Sequence, residues 1–260
     1  MILVLSGEGP TDLGTQRLEE TGWEFVPGPM AWIIDKLLER PGKLGPDAPL
    51  TDRLNFSILQ FHADYGGRIY FLNKGELSAL HYPRTKSSYL PRAEDTPGNQ
   101  YHKASAYQLG RHAQTVAIER NEAAIAVFFR DFDGTNTTPR TEWEGKFNSM
   151  KQGFARADFQ SGVPMVPRPK SEAWILCGLR KREDASRDCS GLEDEPGNDV
   201  SPKSLKGQLA KHLKYEPTAE RQAELVSSGQ IDPALIDLPS FIAFHDELDR
   251  AYAHAAPPLK

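Results

Sequence analysis

Uninterrupted apolar runs are separated along this chain by segments in which apolar residues recur every three or four positions. Residues 2–5 and 123–129 are apolar throughout, a pattern that indicates strands buried on both faces. A shorter run at 163–166 ends at Pro167. Strands that alternate with helices predict an α/β fold, with a mainly parallel sheet, helices on both of its faces and further helices at the C-terminus.

The other elements follow from the same periodicities and from Pro, Gly and capping residues. Helices are predicted at 13–20, 29–40, 101–121, 141–158, 171–179, 206–213, 218–228 and 240–253, and further strands at 54–61 and 68–72.

These elements predict a main domain at 1–182, with an insertion-like region at 41–100. Residues 183–203 are charged and rich in Gly and Pro, so we expect a mobile loop with few apolar anchors there. The helices of residues 204–260 are expected to form an extension packed on the same domain.

Composition excludes several classes of protein. The 260 residues are 38% apolar and 26% charged, and no apolar run approaches the roughly 20 residues of a bilayer-spanning helix. The first run is also too short for a signal peptide, so we expect a cytoplasmic protein with no membrane partner. The net charge is −5 (31 basic against 36 acidic residues), so contact with nucleic acid would need a local basic patch. Cys177 and Cys189 have no CxxC spacing, and we expect two unrelated thiols.

Acidic residues follow two of the predicted strands directly. Glu8 and Asp12 come after the first run, and Asp131 and Asp133 come after residues 123–129. Because the carboxyl ends of parallel strands meet at one edge of a sheet, these acids are expected to share a site. In an extended segment Asp131 and Asp133 would point to the same side. Carboxylates with no His or Cys beside them favour Mg²⁺ or Mn²⁺.

The two motifs together resemble the Toprim domain. These are Glu8-Gly9-x-Thr11-Asp12 after a first strand and Asp131-x-Asp133 after a later one. Toprim is the metal-binding catalytic unit of topoisomerases, bacterial primases and nucleases of the OLD (overcoming lysogenization defect) type. The likeness covers about residues 1–180 and is closest to the OLD-type nucleases and a related bacterial Toprim-like family of unknown function, which has a segment similar to 169–176.

The resemblance implies a Rossmann-like sheet and a role for each matching residue. Asp131 and Asp133 would hold one or two Mg²⁺ or Mn²⁺ ions, and Glu8 would act as general acid/base or metal ligand. Glu172 is implied as a further ligand, and Lys170 as a residue that stabilises charge in the transition state. Asp12 is an additional candidate ligand, although the nuclease branch often has Glu there.

The expected activity is therefore metal-dependent hydrolysis of phosphodiester bonds in DNA or RNA, in phage defence or DNA maintenance. OLD-type proteins usually join an ATPase to the Toprim unit. The chain has no GxxxxGK[ST] phosphate loop, so the ATPase would be a separate partner. Arg130 and the basic stretch with Lys74, Arg84, Lys86 and Arg92 are candidate nucleic-acid contacts, with a solvated loop as the alternative for that stretch.

Two other functions remain open. Asp131-Phe132-Asp133-Gly134-Thr135 also resembles the first motif of haloacid-dehalogenase-like phosphatases, in which Asp131 would be the nucleophile and Asp133 the acid/base. That motif normally lies near the start of its domain, and here more than 120 residues precede it. The third possibility is a non-catalytic Toprim-like module that regulates an ATPase. Each acid also has a structural alternative as a helix cap, a first-turn acid or part of an Asx turn.

Overall fold

Strands and helices alternate over most of the chain. The computed structural model describes residues 1–8, 11–19, 22–39, 57–80, 97–134 and 138–255. The strands are β1 (Ile2–Gly7), β2 (Gly14–Glu19), β3 (Gly22–Pro27), β4 (Ile69–Leu72), β5 (Ala124–Phe129) and β6 (Gly162–Met165). The helices are α1 (Pro29–Leu38), α2 (Ile58–Tyr65), α3 (Lys74–Ala79), α4 (Pro97–Arg120), α5 (Arg140–Arg156), α6 (Ser171–Glu183), α7 (Leu205–Leu213), α8 (Ala219–Ser227) and α9 (Pro239–Ala255).

The central sheet has the strand order β4-β1-β5-β6, and neighbouring strands are parallel. Every residue of β1 and β5 is buried, because helices cover both faces. Leu3 and Leu5 point into one apolar cluster, which includes α1 and α6 to α9. Ile2 and Val4 point into the other, which includes α4 and α5. The prediction of an α/β fold with a mainly parallel sheet and helices on both faces is confirmed.

The C-terminal helices share the core of the sheet. Leu205, Leu225 and Phe241 belong to the same apolar cluster as the first strand. Trp174 of α6 is fully buried, stacks on Phe244 at 5.5 Å between ring centroids, and donates its indole N–H to the Ser240 hydroxyl. None of the described helices has the length and apolar character that crossing a bilayer requires.

Two predicted elements have the wrong secondary structure. The helix predicted at 13–20 is wrong, because β2 pairs with β3 in an antiparallel hairpin, and strand pairing overrides the helical pattern. The strand predicted at 54–61 is wrong for its described part, since α2 begins at Ile58. Ser57 caps α2 by accepting from the backbone N–H of Gln60, which sets the start of the helix.

The segment 183–203 is more firmly anchored than its composition indicates. It contains a 3₁₀ helix at Ser190–Asp194 and buries Cys189 and Leu192. Cys189 forms a disulfide with Cys177 of α6, with the two Cα atoms 5.6 Å apart. The expectation of two unrelated thiols is wrong, because the chain folds back over twelve residues to bring the sulfurs together.

The buried carboxylate of Asp35 should make stability depend on pH. It accepts hydrogen bonds from the Ser57 hydroxyl (2.7 Å) and from the N–H groups of Ile58 (2.8 Å) and Leu59 (3.1 Å). Burial nevertheless raises its pKa to about 6, while the hydrogen bonds act in the opposite direction. Because the folded pKa exceeds the unfolded value near 4, its stabilising contribution is present at low pH and is lost as pH rises through about 6.

We therefore expect wild-type protein to lose about 2 kcal/mol, relative to Asp35→Asn, between pH 4.5 and pH 8. Asn retains an oxygen for the two backbone donors and has no charge to bury. Urea unfolding of both proteins at the two pH values measures the change. A stability difference that is the same at both pH values would contradict the prediction.

Candidate functional site

Four carboxylates converge where β1, β5 and β6 end. Ser171, the first residue of α6, lies between two of them: its backbone N–H donates to Asp131 (2.9 Å) and its hydroxyl donates to Asp12 (2.7 Å). Glu172 follows in the first turn of the helix. Asp133 lies two residues beyond Asp131 and is 3.9 Å from the ammonium of Lys170. The structure thus brings together the acids predicted from three separate parts of the chain.

Backbone hydrogen bonds continue past the end of the sheet and hold the two acidic segments side by side. Phe132 donates to the carbonyl of Pro167 at 3.1 Å, and Asp133 donates to that of Pro169 at 3.0 Å. The expected extended geometry of Asp131 and Asp133 is wrong, because Asp133 is in the left-handed region with φ of 56°. Its side chain is 62% exposed, whereas Asp131 is partly buried among the other acids.

Uncompensated negative charge accumulates in this group. Burial raises the pKa of Asp131 well above its usual range, and the charges of Asp12, Glu172 and Asp133 raise it further. Burial likewise raises the pKa values of Asp12 and Glu172, although Lys170 partly offsets both increases. Among the described residues, Oε2 of Glu172 is buried without a hydrogen-bond partner. A divalent cation would supply the missing partner, and oxygen-only donors fit Mg²⁺ or Mn²⁺.

Lys170 and a short loop close one side of the acidic group. The Lys170 ammonium is 3.0 Å from Asp199, and this contact helps to raise its pKa although burial opposes the increase. Gly197 donates its backbone N–H to the carbonyl of Gly134 at 3.2 Å, which holds the loop against the segment after β5. The sequence alone did not predict the pairing of Asp199 with Lys170.

Asp12 is placed by the hairpin rather than by a helix. Its carbonyl accepts from the N–H of Met30, the second residue of α1, and Leu13 accepts from Gly28. Gly28 has no room for a side chain: an added Cβ would lie 2.2 Å from the carbonyl oxygen of Thr11 and 2.4 Å from that of Asp12. The crossing of these two segments therefore fixes the position of the Asp12 carboxylate.

Replacing Gly28 by Ala should displace Asp12 and cost about 1–3 kcal/mol, because the backbone must move to relieve the clash. We expect a lower melting temperature together with a smaller stabilisation by Mn²⁺ than in wild type. Gly191→Ala is the matched control, since no heavy atom lies within 4 Å of its added Cβ. Thermal unfolding with and without Mn²⁺ tests both effects, and equal behaviour of the two variants would exclude this role for Gly28.

Glu8 lies at the end of β1 but is held by cations. One carboxylate oxygen is 2.6 Å from Arg130 and the other is 2.9 Å from Lys74 of α3. Partial burial alone would raise the pKa of Glu8, but hydrogen bonds from Lys74 and Arg130 more than offset it, so that the pKa is lowered. The acids that raise the pKa of Asp131 are Asp12, Glu172 and Asp133, and Glu8 is not one of them.

Arg130 is one of the largest fully buried side chains, with 1% exposure. It donates to the Tyr101 hydroxyl at 2.6 Å, and its guanidinium carbon lies 5.2 Å from the ring centroids of both Tyr101 and Phe128. Arg130 immediately precedes Asp131 in the sequence and therefore lies next to the acidic group. Of the predicted basic stretch, Lys74 lies beside Arg130, whereas Arg84, Lys86 and Arg92 lie outside the described residues.

Lys146 of α5 was missed by sequence analysis. Its ammonium donates to the carbonyls of Asp131 (2.9 Å) and Phe132 (3.1 Å), and so fixes the segment after β5. Burial lowers its pKa, and the charges of Asp133, Asp131 and Glu8 partly oppose this effect. A lysine at helical spacing from the buried Trp143 was the available signal, because a cation on an apolar helix face needs acceptors.

A second group of possible ligand atoms does not fit a metal. Cys177, Cys189 and Asp237 lie within 4.8 Å of one another. The two sulfurs are bonded to each other, and Asp237 pairs with Lys181. A thiolate ligand is therefore lacking in this state, and the carboxylate group at the strand ends is the better candidate for a metal.

Comparisons of the chain with protein-family models, with curated proteins and with solved structures found no match.

Proposed function

We propose that the protein is a Mg²⁺- or Mn²⁺-dependent nuclease that hydrolyses phosphodiester bonds, of the Toprim type that its motifs resemble. The observation that carries the proposal is the group of four carboxylates with a buried, unpartnered oxygen on Glu172. Such a group is electrostatically unfavourable without a cation, and oxygen-coordinated cations of this kind support hydrolysis of phosphate esters.

In this proposal Asp12, Asp131, Asp133 and Glu172 hold one or two metal ions. The metal supplies Lewis acidity toward the phosphate and favours ionisation of water at neutral pH. Ser171 orients Asp131 and Asp12 through its two hydrogen bonds, as outer partners of metal ligands commonly do.

Lys170 and Glu8 have separate parts. The ammonium of Lys170 lies near Asp133 and Asp199, and in this proposal it stabilises negative charge that develops on the phosphate. Glu8 has a lowered pKa and is ionised at neutral pH, but both of its oxygens pair with cations, so it can act as a general base only once those ion pairs have opened. Its contact with Arg130, the residue before Asp131, supports a position next to the group of four carboxylates and not within it.

The biological setting belongs to the proposal as well. The substrate is DNA or RNA, the ATPase that accompanies Toprim units of the OLD type is a separate protein, and the site of action is the cytoplasm, in phage defence or DNA maintenance. Copurification of an ATPase, or cleavage only when such an ATPase is added, is the result that would support the two-component form.

The direct test is cleavage of plasmid, linear duplex, single-stranded DNA and RNA by purified protein with Mg²⁺, Mn²⁺ or EDTA. We expect metal-dependent cleavage that falls by about 100-fold or more in Asp131→Ala, since a ligand is lost. Glu224→Gln is the control, because that exposed acid pairs with Arg221 on α8. Cleavage by Asp131→Ala at the wild-type rate would refute the assignment.

The phosphatase alternative receives less support from the geometry. One oxygen of Asp131 accepts the Ser171 N–H, and its carboxylate lies among three other acids, an arrangement that suits a metal ligand better than a nucleophile. Hydrolysis of a generic phosphomonoester that is lost in Asp131→Asn and kept in Glu8→Gln would reverse this preference.

A further inference from the structure

The contacts of Glu8 describe an anion site that the protein fills with its own carboxylate. Arg130 and Lys74 approach the two oxygens of Glu8 from different elements, at 2.6 and 2.9 Å. Lys74 also lies 5.8 Å from the ring centroid of Tyr101, beside Arg130. Two cations and an aromatic ring are thus arranged around one carboxylate at the end of β1.

Arg130 is built into this site rather than attached to its surface. It is 1% exposed and held by the Tyr101 hydroxyl, and its Nε has no hydrogen-bond partner among the described residues. A buried guanidinium without an anion is strongly destabilising, so the position must be occupied by negative charge. The planar guanidinium of arginine, with its several N–H donors, suits phosphate as well as carboxylate.

Glu8 is the replaceable member of this arrangement. Its side chain is 52% exposed and that of Lys74 is 56% exposed, whereas Arg130 is fixed. Glu8 can therefore rotate into solvent without disturbing the core. The ring of Tyr101 is 40% exposed and offers a face on which a nucleobase can stack.

We infer that Arg130 and Lys74 bind a backbone phosphate of the nucleic acid, and that Glu8 holds this position until the phosphate displaces it. The substrate class rests on the proposed function, but binding at this position requires neither metal nor catalysis. Glu8 thus acts as an internal competitor of the substrate phosphate, and its removal should improve binding.

The test is the affinity for a short single-stranded oligonucleotide labelled at its 3′ end, measured by fluorescence anisotropy in EDTA. We expect Glu8→Gln to bind about fivefold more tightly than wild type, the effect of removing one competing ion pair. Lys74→Gln should bind more weakly and reduce the slope of log affinity against log salt by about 0.7, as expected when one phosphate contact on a single strand is lost.

Two controls make the outcome specific. Glu224→Gln removes an exposed, arginine-paired acid from α8 and should leave affinity unchanged, which excludes an effect of net charge alone. Arg130→Lys keeps the positive charge but lacks the planar guanidinium group, so we expect it to bind the oligonucleotide more weakly. Its circular dichroism spectrum should remain that of wild type, which shows that the fold is intact. Unchanged or weaker binding by Glu8→Gln would overturn the inference.

Strands with and without a 5′ phosphate distinguish the two sources of the bound group. Equal affinities indicate an internal phosphodiester, and a preference for the phosphorylated strand indicates a terminal phosphate. Absence of metal-dependent cleavage would refute the proposed nuclease activity. The affinities would still test the anion site, because they are measured without metal. The anion site itself would be refuted if neither the oligonucleotide nor inorganic phosphate bound to Glu8→Gln or stabilised it.

Discussion

Asp131→Asn should make the metal-free protein more stable than wild type, and should remove most of its stabilisation by Mg²⁺ or Mn²⁺. Burial and the charges of Asp12, Glu172 and Asp133 raise the pKa of Asp131, so ionising it in the folded protein is unfavourable. Asn keeps the oxygen that accepts the N–H of Ser171 and carries no charge. Sites that hold several like charges commonly reduce stability in this way.

The stability gained by Asp131→Asn should depend on pH, because the pKa of Asp131 is raised in the folded protein. The pKa of Asp131 is higher in the folded than in the unfolded protein. Its contribution to the free energy of unfolding is therefore present at low pH and is lost as the pH rises through the raised pKa. The gain from Asp131→Asn in EDTA should therefore be larger at pH 8 than at pH 5. Wild type should regain stability with metal, by about 2.7 kcal/mol at a metal concentration of 100 times Kd.

Urea unfolding in EDTA and in Mn²⁺ measures both quantities. Asp133→Asn is the informative comparison, because its side chain is 62% exposed. It should change the metal-free stability little and still reduce the response to metal. A less stable Asp131→Asn in EDTA, or a full response of that variant to metal, would contradict the picture of a charged, metal-binding group.

Reducing the disulfide between Cys177 and Cys189 should lower stability by about 3 kcal/mol. The bond closes a loop across a sequence separation of twelve residues, and closing a loop of that size in the unfolded chain has an entropic effect of this order. Both cysteines are at most 1% exposed, so the native protein should need partial unfolding before a reductant reacts. Disulfides persist mainly in oxidising compartments, a condition opposite to the cytoplasmic location that we expect from the sequence.

The measurement is urea unfolding with and without a phosphine reductant, with the thiol state of each sample determined by mass spectrometry. The variant with both cysteines replaced by Ala should be insensitive to the reductant. Wild-type protein shown to be fully reduced and equally stable would establish that the bond contributes nothing.

The sheet was predictable because its central strands are buried on both faces and therefore read as uninterrupted apolar runs. The hairpin and α2 were not, because their structure depends on partners. The strands of the hairpin pair with each other, and α2 starts where Ser57 and the carboxylate of Asp35 accept its first N–H groups. The disulfide likewise depends on a fold-back that spacing alone does not reveal.

The candidate site was predictable to a similar extent. Asp131 comes two residues after β5, and Glu172 lies at the start of the helix that follows β6, so the topology of a parallel sheet places both at one edge. The two partners of Glu8, Lys74 and Arg130, come from separate parts of the chain, and no local pattern associates either of them with the first strand. The left-handed conformation of Asp133 is set by its bond to Pro169, which lies in another segment.

The order in which the site residues occur along the chain has a consequence during synthesis. Asp12 and Asp131 emerge from the ribosome well before Ser171, the residue that joins their carboxylates by hydrogen bonds. Asp199, which pairs with Lys170, and α9, which contributes Phe241 to the shared core, follow later still. The nuclease activity that we propose would therefore be absent until these segments have been synthesised and have folded together.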